Sequence, residues 1–307
     1  MFIEKRKAGK NIKYFLAYSY REKGKVQKIR KYLGQNLAKD QLNEEKEKAK
    51  KHILEFLEEL STEVFLFTLT KAQINKLNKY DGEIRAVHFD LKQWQRFTEE
   101  FVFNTNAIEG STVQREKVPG ILHKPKAEDA EEIETKGVAK AVSYIKTTKE
   151  DLSIELMKKL HEICFKGAKS FAGQLRNVEV GVVDSMGNVL HRGTSVSQLN
   201  LALKDMIHWY KENKNKFKPL VLASIVHNQF EYIHPFQDGN GRVGRLLLNF
   251  ILLKNKYPPI NVTLEDRAEY YHTLQEYQKH QKLKPTVEFL VKQYKKTLAK
   301  VTTKKGK

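Results

Sequence analysis

Along most of this chain apolar positions recur at intervals of three and four residues, a spacing that predicts helices. Leu91, Trp94, Phe97, Phe101 and Ile108 share one face of a helix that Asp90 can cap and Gly110 can stop, which places a helix over 90–110. The same reading gives helices at 129–145, 152–165, 196–213, 219–233, 242–254, 266–281 and 285–299. Two segments break the rhythm. Residues 12–20 and 26–33 are aromatic and β-branched, with Glu22-Lys-Gly-Lys25 as a turn; together with 2–7 they predict a small three-stranded antiparallel sheet. Further on, valines alternate on either side of 184–188 within 177–190, the pattern of a β-hairpin set into a helical domain. The expected fold class is mainly α, a helical bundle with a β-hairpin, preceded by a small antiparallel β-sheet.

Composition shifts along the chain suggest its organisation. Residues 1–36 read as a small basic β-sheet domain and 37–62 as a helical linker. Residues 63–300 read as one large domain, and 301–307 as a disordered basic tail. The most apolar run, 246–253, is interrupted by Asn249 and is too short to cross a bilayer, so no membrane partner is expected. Residues 1–10 carry charges with no apolar stretch behind them, which is not a secretory signal and points to a cytoplasmic protein. Cys164 is the only cysteine, which excludes an intramolecular disulfide and a cysteine-based zinc site.

Charge changes the picture of possible partners. The chain has 56 Lys+Arg against 37 Asp+Glu, a formal net charge of +19, which favours an anionic partner such as nucleotide, nucleic acid or an acidic protein. The first 36 residues concentrate this excess among Tyr and Phe, a combination that can bind nucleic acid. The same residues also suit a small tyrosine-packed core beneath solvated lysines.

The chemistry is densest in His234-Pro-Phe-Gln-Asp-Gly-Asn-Gly-Arg-Val-Gly-Arg245, between two apolar helical stretches. Gly239 and Gly241 let the backbone turn its N–H groups inward, and the helix expected near Arg242 adds the positive end of its dipole, as a phosphate site requires. Arg242 and Arg245 are three apart and share a face, a pair of guanidiniums suited to polyphosphate. Asp238 is a hard oxygen ligand of the kind Mg²⁺ takes beside phosphates, and His234 can accept a proton near neutral pH. Gly239-Asn-Gly-Arg-Val-Gly244 also matches the dinucleotide pattern G-x-G-x-x-G, but that pattern follows a strand. Here Leu222, Ile225, Val226, Phe230 and Ile233 keep helical spacing instead.

This segment resembles the Fic proteins. Their motif, His-x-Phe-x-Asp/Glu-Gly-Asn-Gly-Arg-x-x-Arg, is matched at every defined position by His234, Phe236, Asp238, Gly239, Asn240, Gly241, Arg242 and Arg245. The likeness runs from about Phe97 to Leu290, takes in Gly173-Gln-Leu-Arg176 and Pro258-Pro-Ile260, and leaves out the basic sheet. The resemblance implies a Fic-type helical bundle with a flap, in a catalytic domain over 63–300, that transfers AMP from ATP to a Ser, Thr or Tyr hydroxyl of a protein target or of the chain itself. By that likeness His234 is the base and Asp238 holds Mg²⁺, or Mn²⁺ in its stead. Gly239, Asn240 and Gly241 form an anion hole, Arg242 binds the β-phosphate and Arg245 the γ-phosphate. Val180, Gly181, Val182 and Val183 belong to a flap that pairs with the target backbone, and Arg176 gives structural support. The branch that transfers a phosphoryl group has lysine where this chain has Gly241, which favours AMP transfer.

Thr105-Asn-Ala-Ile-Glu109-Gly110 fits the family's inhibitory pattern Ser/Thr-x-x-x-Glu-Gly/Asn and would place Glu109 on Arg245. The same glutamate could instead orient a water that removes AMP, making the chain a de-AMPylase or a bifunctional enzyme. A third reading makes it a nucleic-acid-binding regulator working through residues 1–36. His161, His191 and His272 lack metal-ligand spacing, His227 reads as a structural core residue, and Glu131, Glu132 and Glu134 as a solvated helix start.

Overall fold

The computed structural model describes residues 1–22, 25–59, 63–64, 67–83, 88–183 and 189–302, and these fall into two compact units, 1–70 and 71–307. Outside the described residues lie part of the turn expected at 22–25, the hairpin tip at 184–188, Leu60, and 303–307 of the expected tail.

In the first unit β1 (Phe2–Ala8), β2 (Asn11–Glu22) and β3 (Lys25–Gln35) form an antiparallel sheet in the order β1-β2-β3. Register fixes its two faces. Tyr14 pairs with Gly34 but Phe15 with Tyr32, so Leu33 is the extra residue of a bulge. One face buries Leu16 and Leu33 against Ala49 and Ile53 of α1 (Lys39–Glu59), with Tyr14, Tyr18 and Ile29 packed around them. The helix expected as a linker thus supplies half of this small core. A two-residue ladder, β4 (Glu63–Val64) with β5 (Phe67–Thr68), follows and had no signal in the apolar pattern.

The second unit is helical. It begins with α2 (Lys71–Asn78), which was not expected, and α3 (Leu91–Ile108). Asp90 caps α3 reciprocally: its carboxylate accepts from the Gln93 N–H at 2.8 Å, and its own N–H donates to Gln93 Oε1 at 2.9 Å. Then come α4 (Val118–His123), α5 (Ala130–Thr147), α6 (Ile154–Phe165), the hairpin β6 (Gly181–Val183) and β7 (Val189–Arg192), and α7 (Val196–Asn213). The chain closes with α8 (Pro219–Ile233), α9 (Asn240–Lys254), α10 (Arg267–His280) and α11 (Lys284–Thr302). The fold is mainly α with small antiparallel sheets. Valines at 178 and 180 precede the hairpin rather than join it. Val301 is 3% exposed, so α11 continues into the segment expected as tail.

Helices α8 and α9 are buried nearly all round and form the centre, with α3, α5, α6, α7, α10 and α11 packed about them. The asparagine that interrupts the apolar run has a purpose here. Asn249 Nδ2 donates to the Ile260 carbonyl at 2.9 Å, and its Oδ1 accepts from the Ile260 N–H at 2.7 Å, pinning the segment after Pro258 and Pro259 to the core. Among the described residues no helix is long and apolar enough to cross a membrane.

Asn249→Leu strands both backbone groups of Ile260, at about 1–3 kcal/mol each. The urea midpoint should therefore fall while the m-value stays constant, and an unshifted midpoint would refute the pinning role.

Candidate active site

Helix α8 ends because His234 adopts a left-handed conformation (φ 54°), its N–H still bonded to the Phe230 carbonyl at 2.9 Å. The chain then turns back through Phe236 and enters α9 at Asn240. That start is two residues earlier than expected, because Asn240 closes the turn on itself: Oδ1 accepts from the Phe236 N–H and Nδ2 donates to the Phe236 carbonyl, both at 2.8 Å. The Asn240 side chain is thereby committed to the loop, and what this residue can offer a ligand is its N–H. The first N–H groups of a helix have no partner within it, so 240–242 begin with donors aimed along the helix axis. Gly239 has φ +82°, and a Cβ there would stand 2.4 Å from the Phe165 ring, so the position admits only glycine.

A residue the spacing argument passed over holds this turn from below. His161 on α6 accepts from the Gly173 N–H at Nδ1 (2.8 Å), which leaves its Nε2–H to donate to the Asp238 carbonyl at 3.0 Å. Its ring stacks on Phe236, 4.1 Å between centroids and 14° between planes. Burial pushes His161 down to about 4, so the ring is neutral and one tautomer serves both bonds. Sequence gave one faint signal for it, a histidine on the buried stripe of an amphipathic helix. Arg176 holds the other side. Its Nε donates to the His234 carbonyl at 2.7 Å, its Nη1 to Val178 at 3.0 Å, and its Nη2 to the Thr194 and Ile233 carbonyls, joining the hairpin's ends to the turn.

Three of the four candidate groups, His234, Asp238 and Arg245, face the space in front of the turn, and the fourth, Arg242, stands beside Asp238. His234 lies 3.3 Å from the Glu231 carbonyl through Nδ1; a carbonyl only accepts, so Nδ1 carries the proton and Nε2 is the free base. Burial lowers its pKa to about 4, partly opposed by that carbonyl. Asp238 is about half exposed at the mouth, its Oδ2 2.8 Å from Lys169 Nζ and 3.5 Å from Arg242 Nη2. Burial would raise its carboxyl, but Lys169 and Arg242 outweigh that and hold it below the ordinary range. Arg242 is bound through Nη1 by Glu134 and stacks over Phe165 at 4.4 Å. Glu134 is 15% exposed and turned inward, against the expectation of a solvated helix start, because two cations draw it in.

Arg245 is the most buried of the four, at 2% exposed. Its Nη2 donates to Glu109 Oε1 at 2.8 Å and to the Thr105 carbonyl at 2.9 Å, and its Nε to Thr105 Oγ1 at 2.8 Å. Both ends of the pattern found at 105–110 therefore converge on one guanidinium. Gly241 makes room: a Cβ there would sit 2.1 Å from Glu109 Oε1. Glu231, one turn before His234 and so on its helical face, also lines the space; burial raises its carboxyl to about 8, which keeps it neutral at pH 7. Sequence reading missed this residue. His227 donates or accepts at the Tyr270 hydroxyl (2.9 Å) within the core, as a structural histidine does.

Glu109, Glu231, His234, Asp238 and Arg245 line a cavity of about 640 Å³ whose far wall is α10, through Arg267, Tyr271, Leu274, Gln275 and Gln278. Gly181 and Val182 of β6 border it, and the Val180 carbonyl accepts from Gly193 N–H at 3.1 Å; Val183 lies in β6. In its sheet β6 pairs only with β7, which leaves one strand edge open among the described residues. Among those residues no group of three His, Cys, Asp or Glu side chains could cage a metal. A single carboxylate beside a phosphate cradle nevertheless suits Mg²⁺, which is commonly held by one or two carboxylates with the phosphates completing its shell.

Residues 151–252 match the model of the Fic/DOC family. The chain is 28% identical over 203 residues to a protein adenylyltransferase Fic of Nematostella vectensis, covering 63% of this chain and 46% of that protein. It is 30% identical over 186 residues to the protein adenylyltransferase fic-1 of Caenorhabditis elegans, covering 57% and 35%. It thus spans less than half the length of these curated relatives. In fold it is similar to a Fic family protein from Desulfovibrio desulfuricans, with a TM-score of 0.65 and 25% identity, over 76% of this chain and 74% of that one.

With His234 held at about 4 and His161 likewise, neither ring should titrate through neutrality. Imidazole NMR signals of both are expected to stay in their neutral positions from pH 8 down past the ordinary histidine midpoint of about 6.5. A midpoint at or above that value for His234 would disprove the buried free-base assignment.

Proposed function

We propose, from the premise that residues 151–252 form a Fic domain, that the chain transfers AMP from ATP to a hydroxyl group of a protein. One observation carries the reading: the His234 imidazole with its free nitrogen, the Asp238 carboxylate, the Arg245 guanidinium and the first residues of α9 all border one cavity, with Arg242 beside Asp238. His234 Nε2 takes the proton of the incoming Ser, Thr or Tyr hydroxyl, and the oxygen forms its bond to the α-phosphorus. The bond from that phosphorus to the bridging oxygen breaks, and pyrophosphate leaves with the electron pair. The N–H groups at the start of α9 and the Arg242 guanidinium bind phosphate oxygens as charge shifts onto the leaving group. Asp238 is the residue that would hold Mg²⁺, or Mn²⁺, which when bound neutralises phosphate charge. The far wall of α10, apolar at Leu274 and amide-bearing at Gln275 and Gln278, is suited to a base. The open edge of β6 fits an extended target segment by strand addition.

Glu109 is proposed to inhibit this reaction. Its carboxylate occupies the guanidinium that the terminal phosphate needs, and it abuts Gly241 in the cradle. The same placement, within the cavity that holds His234, suits a carboxylate that positions water for removal of AMP.

Protein should take label from α-labelled and not from γ-labelled ATP, and His234→Ala should abolish the signal. Glu109→Gly should raise transfer at least about tenfold, the equivalent of about 1.4 kcal/mol, and eliminate any removal activity. Label from the γ position would replace AMP transfer by phosphorylation; unchanged or lower transfer in Glu109→Gly would reject inhibition.

A second reading concerns the first unit, and the sheet's open face favours it. Arg6, Lys13, Lys28 and Arg30 stand there among Phe2, Phe15 and Tyr32, with Phe2 and Tyr32 about half exposed. Glu4 alone offsets them; Arg6, Arg30 and Lys28 hold its carboxyl down to about 2. We propose that this face binds the backbone of a nucleic acid. Full-length protein should bind a single-stranded oligonucleotide with log affinity falling by about 0.9 or less per phosphate contact for each unit of log salt. Arg6→Ala with Arg30→Ala should weaken binding and flatten that slope. Equal binding by parent and double variant would dismiss the face as a partner site.

A further inference from the structure

Lys169 had no part in the expected motif, yet it is the nearer of the two cations on Asp238 Oδ2. It lies in the loop after α6, with Nζ 2.8 Å from Asp238 Oδ2 and 3.0 Å from Glu134 Oε1. Glu134 also binds Arg242, whose Nη2 returns to Asp238 Oδ2 at 3.5 Å. The four groups make a closed ring of alternating charge. Its members differ in freedom. Arg242 is 6% exposed and stacked on Phe165; Glu134 is 15% exposed and held by both cations. Lys169 is a flexible side chain, 22% exposed, and Asp238 opens to solvent at 48%.

Resting on the reading of Asp238 as the metal ligand of a nucleotide-transfer site, we propose that Lys169 is an exchangeable cation. It occupies that carboxylate while the site is empty and yields it only when a metal arrives with a phosphate chain. Two observations carry this. Of the two Asp238 oxygens, Oδ1 already accepts the Gly239 N–H at 2.6 Å, so Oδ2 is the more available one, and Lys169 is on it. Second, Lys169 has another anion to retire to, since Glu134 is within reach of the same Nζ.

Electrostatics gives the direction. A divalent ion on Asp238 would feel twice the repulsion from a lysine left in place that a monovalent ion feels. A bare cation must therefore displace Lys169 against the full strength of its ion pair. A triphosphate reverses the balance, because its oxygens give Lys169 an anion on the metal's own side. The lysine thus couples the two ligands: it disfavours metal alone and accepts metal with nucleotide. That is a positioning role exerted through Asp238.

Mn²⁺ binding to the full-length chain without nucleotide, followed by electron paramagnetic resonance of the free ion, reads this directly. Lys169→Gln should bind Mn²⁺ at least about tenfold more tightly than the parent, while the charge-keeping Lys169→Arg should stay near the parent. The gain should vanish in Lys169→Gln combined with Asp238→Asn. Equal Mn²⁺ affinity in Lys169→Gln and the parent, including no binding by either, overturns the exchange. So does a gain that survives Asp238→Asn, since the ion would then sit elsewhere. The premise has its own readout: if Asp238→Asn alone binds Mn²⁺ and ATP together as well as the parent does, Asp238 is not the metal ligand and the underlying reading fails instead.

Discussion

The hydrogen bond from the His161 ring to the Asp238 carbonyl ties the turn between α8 and α9 to α6. The turn has to satisfy two opposed demands. Its peptide groups must stay unpaired toward the cavity, since those are the donors a phosphate would meet, yet its backbone must not collapse onto them. Anchors within and around the turn resolve the conflict. His161 braces it from α6 through Phe236, Asn240 closes it on the Phe236 peptide, and Arg176 binds the carbonyls at its entrance. None of these contacts uses the N–H groups of 240–242.

The charged side chains around the turn follow a related logic. None is left alone in the described structure: Arg245 is met by Glu109, Arg242 by Glu134, and Asp238 by Lys169. Burying a lone charge is costly, so each of these charges is given a partner of opposite sign. Glu109 stands on the guanidinium proposed for phosphate, and Lys169 on the carboxylate proposed for metal. Neutral groups fill the rest of the buried shell, with Glu231 protonated and His161 and His227 unprotonated through burial. Under the proposed function, ligand entry would exchange these partners rather than open bare charges to the protein interior.

Steric detail explains why small residues stand where they do. Gly239 lies under the Phe165 ring with a positive φ, and Gly241 lies against the Glu109 carboxylate. The first serves the turn's shape. The second serves contact between the two ends of the candidate site, α3 and α9, which are more than a hundred residues apart in the chain. Asn249 plays the corresponding part in the core, a polar residue in an apolar run that exists to pair with one loop peptide.

The order of the longer helices, the early sheet, the hairpin and the twelve-residue motif were legible in the sequence, because each rests on local spacing: period in a helix, alternation in a strand, glycine at a tight turn. The short α2 and α4 were not. The ends of elements were less so. Helix α9 starts at Asn240 and not at Arg242, since a side chain folding back on its own loop leaves no mark in periodicity. The first helix reads as a connector until the burial of Ala49 and Ile53 shows it packed on the sheet. Lys169, Glu134 and Glu231 could not be ranked by sequence, and His161 only by its place on a buried helical stripe. Their importance is a matter of which charge or ring meets which, and those meetings are between α5, α6, α8 and the turn. Local rules follow from covalent geometry and travel with the chain; pairings between distant side chains exist only once packing has excluded water and forced each polar group to find a partner.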